Sequence, residues 1–175
     1  MKFLKDNTVV DIMEAKKIDA SIIIDFYRQL DKESEFLAFD DDELNPEIEE
    51  FSKYLDKLNQ SKTTKIFLAK SKDKLIGICK MSGHKSKKTI HNCELSLYVL
   101  EDYSNKGLGT LLLDYSINYA RITQVIKNIY LEVREDNKYA IKLYEKYGFK
   151  KVGVMPDKIK SEEKYIAENI YLLQI

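Results

Sequence analysis

The feature that most constrains the fold is a strand that runs into a glycine-containing turn and then into an amphipathic helix. The strand covers about residues 90–99, the turn contains Gly107 and Gly109, and apolar residues recur at helical spacing as far as Tyr119. A helix that begins here directs unpaired backbone N–H groups and the positive end of its dipole toward the turn. The missing Cβ atoms allow an anion to approach closely. The segment therefore predicts either a phosphate site or a tight turn that uses glycine for geometry alone.

Further strands and helices lie on both sides of this segment. Hairpin-like strands dominate the first half, and strand–helix alternation follows, so we expect a mixed α/β sheet with helices on both faces. Gly148 is placed to end the last helix. The predicted helices are 19–31, a segment from Asn45 and Pro46 through Leu58, one from about Gly107, and 138–146; the predicted strands are 8–12, 66–69, 75–79, 90–99, 129–133, 150–154 and 169–173.

Length and charge exclude several classes of protein. We take residues 1–175 as a single domain, and the 29 basic and 29 acidic residues cancel, so no nucleic acid partner is expected. No run approaches the ~18 apolar residues of a membrane span, and the first residues lack the apolar stretch of a secretion signal. Cys79 and Cys93 suggest neither a metal cluster nor a disulfide framework. The sequence therefore predicts a cytoplasmic protein without a membrane partner.

Two rival nucleotide motifs fail on the residues of the glycine turn. A dinucleotide fingerprint requires Gly or Ala where Leu112 lies, and a P-loop requires Gly-Lys followed by Ser or Thr, which is absent.

A second motif follows further along the chain and gives the first one a context. Asn137, Ala140, Tyr144, Gly148 and Phe149 follow the pattern Asn-x-x-Ala-x-x-x-Tyr-x-x-x-Gly-Phe. The Gly-x-Gly turn resembles motif A of the GNAT superfamily of acetyl-CoA-dependent N-acetyltransferases, and the segment 137–149 resembles its motif B. The two occur here in the order and spacing of that family. The chain departs from the family pattern at Ser104, where Arg or Gln is usual.

The resemblance implies a GNAT-type fold, with a V-shaped mixed sheet of six or seven strands flanked by four helices. It implies acetyl-CoA as cosubstrate, a primary amine as acceptor, no metal, and a possible homodimer. The alternative is an acyl-CoA-binding sensor module without turnover. The missing Arg or Gln contact would be lost, or replaced by the Ser104 hydroxyl and Lys106. The implied cofactor-binding residues are Leu97, Tyr98, Val99, Ser104, Asn105, Lys106, Gly107, Leu108, Gly109, Thr110, Asn137, Ala140 and Tyr144.

The resemblance also assigns catalytic roles. Tyr144 is the expected general acid for the departing thiolate, with simple helix packing as its alternative, and Asn137 caps its helix, binds pantetheine, or does both. Strand alternation places Glu94 opposite the apolar face, where it is the candidate base; Glu132 on the neighbouring strand is the other candidate. Either carboxylate is also compatible with a solvated or salt-bridged position on the sheet. The two histidines do not suggest a metal pair, and the cysteines lie on apolar strand faces, which argues against an acetyl-cysteine route.

The densest acidic run lies between the first two helices. It comprises residues 40–43 and then Glu47, Glu49 and Glu50, with Phe36, Leu37 and Phe39 just before it. The run predicts either an edge of the acceptor site that concentrates a cationic amine or a solvated loop whose last acidic residues favour the start of a helix.

Overall fold

The structure, a computed structural model, describes residues 2–34, 36, 46–161 and 164–175. One sheet of eight strands crosses these residues in the order β1-β2-β3-β4-β5-β6-β8-β7. The strands are β1 Lys2–Phe3, β2 Val9–Glu14, β3 Lys65–Ser71, β4 Lys74–Gly83, β5 Asn92–Val99, β6 Asn128–Arg134, β7 Lys150–Ser161 and β8 Lys164–Gln174. Within the described ranges the α-helices are α1 Ala20–Glu33, α2 Ile48–Asn59, α3 Leu108–Thr123 and α4 Lys138–Lys146. The mixed α/β architecture is confirmed, and β1 is a strand that the sequence did not predict.

Each face of the sheet carries its own apolar cluster, because side chains alternate between the faces along every strand. On one face, Leu112 of α3 packs with Leu131 of β6 and their neighbours. On the other face, Phe26 of α1 and Leu55 of α2 pack with Ile78 of β4. The sheet is therefore covered on both sides, with α3 on one face and α1 and α2 on the other.

The two central strands pair only at one end. Strands β5 and β6 run parallel and pair at Asn92–Asn128, Cys93–Ile129 and Glu94–Tyr130. Beyond Glu94, β5 keeps its antiparallel pairing with β4, and β6 keeps its pairing with β8. The remaining halves of β5 and β6 have no ladder between them, so the sheet opens into the V that the resemblance implied.

The helix ends follow from local sequence. The Asn137 side chain accepts a hydrogen bond from the N–H of Ala140 at 3.1 Å and so caps α4. Gly148, at a φ of 86°, takes the left-handed position just after α4, as predicted. Helix α2 differs from the prediction: it begins at Ile48 with Glu47 as the N-cap, so Pro46 lies before the helix and not in its first turn. Asn45 lies outside the described residues.

Candidate active site

The glycine turn forms a cradle at the amino end of α3. Gly107 is the N-cap at a φ of 96°, Asn105 lies in the same left-handed region at 60°, and no side chain caps the helix. The N–H groups of the first helical turn therefore have no intrahelical acceptor. A Cβ added to Gly107 would meet nothing within 4 Å, whereas one added to Gly109 would lie 3.2 Å from the Leu143 side chain. Gly107 thus permits the backbone conformation, and Gly109 permits close packing of α3.

A cleft of about 560 Å³ extends from this cradle into the opening between β5 and β6. Its position follows from the fold, because only the unpaired halves of β5 and β6 leave room between them. The cleft brings together most of the residues that the sequence assigned to cofactor binding or catalysis: Glu94, Leu97, Tyr98, Val99, Ser104, Asn105, Gly107, Gly109, Thr110, Asn137, Ala140 and Tyr144.

Two assigned residues, Leu108 and Lys106, do not line the cleft. Leu108 is buried in the core, so only its backbone N–H faces the cradle end of α3. The Lys106 ammonium pairs with the Asp6 carboxylate at 2.9 Å. This bond raises the pKa of Lys106 and holds the pKa of Asp6 well below its ordinary value. The Ser104 hydroxyl lies 3.4 Å from the Leu100 carbonyl, to which it donates. The structure therefore commits both proposed substitutes for the missing Arg or Gln to other partners.

Tyr144 lies in the wall of the cleft, near the middle of α4. Its side chain is only 6% exposed, and its ring packs against Phe149 with centroids 5.8 Å apart. Burial raises the pKa of the phenol above its ordinary value. The hydroxyl therefore remains protonated throughout the neutral range, as a proton donor requires, and the same side chain also packs in the core.

Three carboxylates line the other end of the cleft: Glu94 on β5, Glu132 on β6 and Glu168 on β8. Arg134 lies opposite Glu168 in the β6–β8 ladder, and Glu132 lies opposite Ile170, so Glu132 and Glu168 are diagonal neighbours on one face. Glu168 is 6% exposed. Desolvation, followed by the charge of Glu132, raises the pKa of the Glu168 carboxyl.

The Arg134 guanidinium is bound by the carboxylate of Asp136, just beyond the end of β6. The guanidinium donates to both carboxylate oxygens of Asp136, from Nε at 3.1 Å and from Nη2 at 2.8 Å, which lowers the pKa of Asp136. The guanidinium also lies 4.9 Å from the centre of the Phe36 ring. Phe36, which precedes the acidic run in the sequence, lines the cleft. Leu37, Phe39 and the acidic run 40–43 lie outside the described residues.

A smaller cavity of about 280 Å³ adjoins the carboxylate end and shares Glu94 and Glu132 with the main cleft. His84 and Tyr130 are among its other lining residues. In the described ranges, no group of three or more His, Cys, Asp or Glu side chains is arranged to hold a metal ion.

Neither cysteine has the properties of a nucleophile. Cys79 and Cys93 are free and buried, and burial raises the pKa of each thiol to about 12. Cys79 also accepts a hydrogen bond from the Ser116 hydroxyl at 3.0 Å.

Lys5, Glu168 and Tyr139 are among the cleft residues that sequence reasoning missed. Lys5 belongs to the turn after β1, a strand with no recognisable signal in its two residues. Glu168 lies one position before the predicted last strand, which in the structure extends from Lys164 to Gln174. Alternation along the longer strand places Glu168 on the face of Ile166, Ile170 and Leu172, so the strand pattern carries no signal for a carboxylate in the site.

None of the helices in the described residues is both long and apolar enough to cross a membrane.

Comparison with known proteins gives the family. A family model described as the acetyltransferase (GNAT) domain matches residues 12–170. An N-alpha-acetyltransferase of Saccharolobus solfataricus is 48% identical over 61 residues, which are 35% of this chain and 36% of that protein. The acetyltransferase PseH of Campylobacter jejuni is 30% identical over 103 residues, 59% of this chain and 62% of that protein. The matches thus span from about a third to just under two thirds of these relatives.

Solved structures extend the likeness to almost the whole chain. A GNAT-family acetyltransferase from Streptococcus pneumoniae superimposes with a TM-score of 0.91 at 28% identity, covering 95% of this chain and all (100%) of that one. The Salmonella typhimurium protein yncA, solved with its cofactor acetyl-CoA, has the same fold, with a TM-score of 0.80 at 19% identity over 94% of this chain and 93% of that one. Because the family model spans nearly the entire described fold, this chain belongs to the GNAT acetyltransferase family.

Proposed function

We propose that this protein is an N-acetyltransferase that transfers the acetyl group of acetyl-CoA to a primary amine by direct attack. The observation that carries the proposal is one continuous cleft in the β5–β6 opening, with backbone N–H donors at one end and carboxylates at the other. The first end suits the phosphates of coenzyme A, and the second suits a cationic amine that must lose a proton.

The residues of the cleft fit coenzyme A. The amino end of α3 offers the unpaired N–H groups of Leu108, Gly109 and Thr110 to a diphosphate, beside the open space at Gly107. The unpaired edge of β5 at Leu97 and Val99 offers backbone groups to the pantetheine amides. Asn137 uses Oδ1 for the helix cap, which leaves its Nδ2 amide for a bound molecule. When bound, acetyl-CoA supplies a thioester as the activated acetyl donor.

The carboxylates handle the proton of the acceptor. An α-amine has a pKa of about 8 and a lysine amine about 10.4, so the nucleophile must be deprotonated at neutral pH. We assign this role to Glu94, with Glu132 as the rival base on the facing strand of the same cleft. The amine nitrogen forms a bond to the acetyl carbon, the carbon–sulfur bond breaks, and the amine proton passes to the carboxylate directly or through water.

Tyr144 serves the leaving group. A phenol that stays protonated at neutral pH can donate a proton or a hydrogen bond to the departing thiolate, and Tyr144 faces the cleft from the wall opposite the polar strand residues. The thiolate leaves as the free thiol of coenzyme A once it has gained this proton.

Release of the coenzyme A thiol tests the proposal. Purified protein is incubated with acetyl-CoA and three acceptor classes, namely peptides with free amino termini, polyamines and free lysine, and products are identified by mass spectrometry. The first two classes are chosen because relatives carry the names N-alpha-acetyltransferase and spermine/spermidine N(1)-acetyltransferase. Amine-dependent thiol release is expected. Binding of acetyl-CoA without turnover of any amine would favour the sensor module instead.

The choice of base is tested by Glu94→Gln and Glu132→Gln, which remove charge but keep shape. Loss of the true base lowers kcat by about 10²- to 10⁴-fold, whereas loss of the other carboxylate has a smaller effect. The base assignment is wrong if Glu132→Gln carries the larger loss.

We place the activity in the cytoplasm, on the strength of the cysteine usage and of two free, buried thiols. We infer no nucleic acid or membrane partner, because the formal net charge is +0. The homodimer implied by the resemblance stays a prediction, which light scattering after size-exclusion chromatography tests.

A further inference from the structure

We propose that Lys5, in the turn between β1 and β2, supplies the side-chain cation to the diphosphate of coenzyme A in place of the Arg or Gln that this chain lacks at Ser104. The inference rests on the proposed function, since it assumes that coenzyme A occupies the cleft. It adds a residue from the amino-terminal turn to the phosphate cradle, whose other residues lie between Ser104 and Thr110.

Lys5 is fixed to the cradle by two hydrogen bonds. Its backbone N–H donates to the Lys106 carbonyl at 3.0 Å, and its ammonium donates to the Asn105 carbonyl at 3.3 Å. Asn105 immediately precedes the Lys106–Gly107 turn into α3, and Lys5 and Asn105 both line the cleft. An ammonium group has three donors, so two remain for a ligand while the third bonds the loop.

The turn that carries Lys5 is itself well determined. The N–H of Leu4 donates to the Thr8 carbonyl at 2.9 Å, and the N–H of Asn7 donates to the Leu4 carbonyl at 3.0 Å. The Asp6 carboxylate accepts from the N–H of Thr8 at 3.0 Å. Leu4 is buried in the core cluster between the sheet and α3. The turn therefore holds the Lys5 backbone in place before any ligand arrives.

Nearby cations are less suitable. Lys106 precedes Gly107 directly, yet its ammonium pairs with Asp6 at 2.9 Å, and it does not line the cleft. Lys74 and Lys106 both lie within 6 Å of the Tyr103 ring centre, at 5.8 and 5.7 Å. Among the described residues that line the cleft, the only lysine or arginine side chains are those of Lys5 and Arg134. Arg134 lies with the carboxylates and is bound by Asp136, which leaves Lys5 for the phosphate end.

Calorimetric titration with coenzyme A tests the assignment without relying on turnover. Lys5→Met keeps the length of the aliphatic chain but removes the charge, and we expect its Kd to rise about tenfold, the lower range for a hydrogen bond to a charged group. Lys5→Arg should restore most of the affinity. The salt dependence of binding should also weaken in Lys5→Met, because one screened ionic contact is gone. A Kd for Lys5→Met within twofold of wild type overturns the proposal.

Two further arms locate the contact. Lys2→Met removes one charge from the same terminal segment, at an exposed residue of β1 outside the cleft lining, and should leave the Kd within twofold. The double variant Asp6→Asn with Lys106→Met removes the competing pair, and a loss as large as that of Lys5→Met would assign the contact to Lys106 and overturn the proposal. With 3′-dephospho-coenzyme A the tenfold penalty should persist; its disappearance would mean that Lys5 contacts the 3′-phosphate and would refute the diphosphate assignment.

The outcomes also separate this inference from the proposed function. If wild type binds no coenzyme A, the proposed function itself fails. If wild type binds and Lys5→Met binds equally well, only the assignment of Lys5 fails. A thermal melt of each variant checks that the fold is intact, and Lys5→Arg provides a second readout should the Met variant unfold.

Discussion

Replacement of Tyr144 by Phe is the change that best separates catalysis from packing. The variant keeps the ring that contacts Phe149 and removes only the hydroxyl. Among the described residues, none forms a hydrogen bond with this hydroxyl, so its loss leaves no partner unsatisfied. We therefore expect the free energy of unfolding to change by less than about 1 kcal/mol and the affinity for coenzyme A to stay within about twofold.

The effect on turnover should be far larger. If Tyr144 protonates the leaving thiolate, its removal lowers kcat by about 10²- to 10⁴-fold, which corresponds to about 2.7 to 5.4 kcal/mol of barrier. The raised pKa of the phenol also predicts the shape of the pH profile. Because the folded-state pKa lies above the ordinary value of 10.0, Tyr144 keeps its proton across the range in which the enzyme is assayed, and any alkaline loss of activity below pH about 10 must come from another group.

The assay is thiol release under saturating acetyl-CoA, with calorimetry of coenzyme A binding on the same preparations. Tyr171→Phe is the matched control: this tyrosine is also buried, but its hydroxyl donates to Glu145 at 3.0 Å and does not line the cleft. The control should lose some stability and retain its kcat. Turnover in Tyr144→Phe within threefold of wild type would refute the reasoning and reduce Tyr144 to a packing residue.

Three further predictions follow from the same geometry. Gly107→Ala should lower the free energy of unfolding by about 1–2 kcal/mol in urea titration, because a φ of 96° is unfavourable for a residue with a Cβ; unchanged stability would argue against the left-handed cap. Wild-type protein should lose stability relative to Glu168→Gln as pH rises from 4 to 8. The pKa of Glu168 is raised in the folded state, so the stabilisation from its protonated carboxyl is complete below the unfolded-state pKa and is lost as pH rises through the folded-state pKa. Parallel curves of stability against pH for the two proteins would contradict the burial argument. Native protein at pH 8 should resist alkylation at Cys79 and Cys93, because burial raises both thiol pKa values to about 12; rapid modification followed by mass spectrometry would show that the thiols are accessible.

The parts of the site that sequence could predict are those fixed by local rules. The Asn137 cap and the Gly148 helix end depend on residues within a few positions of each other. The faces of β5 follow from alternation, and the structure places Leu97 against the apolar cluster and Tyr98 against the opposite one, as alternation requires.

The parts that sequence could not predict depend on contacts between distant segments. Lys5 and Asn105 are 100 positions apart, and no pattern near either residue indicates that the amino-terminal turn reaches the cradle. Glu168 meets Glu132 only because β8 inserts between β6 and β7, a strand order that local periodicity does not specify. The position of Pro46 could not be predicted for a different reason. Proline has no backbone N–H, so it is tolerated in the first helical turn, but it is tolerated equally well just before the N-cap, where the structure has it.

The charge distribution along the cleft is consistent with the substrate positions that we propose. At the cradle, backbone N–H donors and the Lys5 ammonium favour phosphates, while Glu94, Glu132 and Glu168 at the other end would repel them. Lys158 and Arg134 offset part of that negative charge at Glu168, and the Arg134 guanidinium is shared with the Asp136 carboxylate. A cationic amine is accordingly attracted to the end that phosphates avoid. If the proposed function holds, the two substrates enter a single cleft without competing for the same groups, and the thioester and the amine meet at the unpaired stretch of β5 between them.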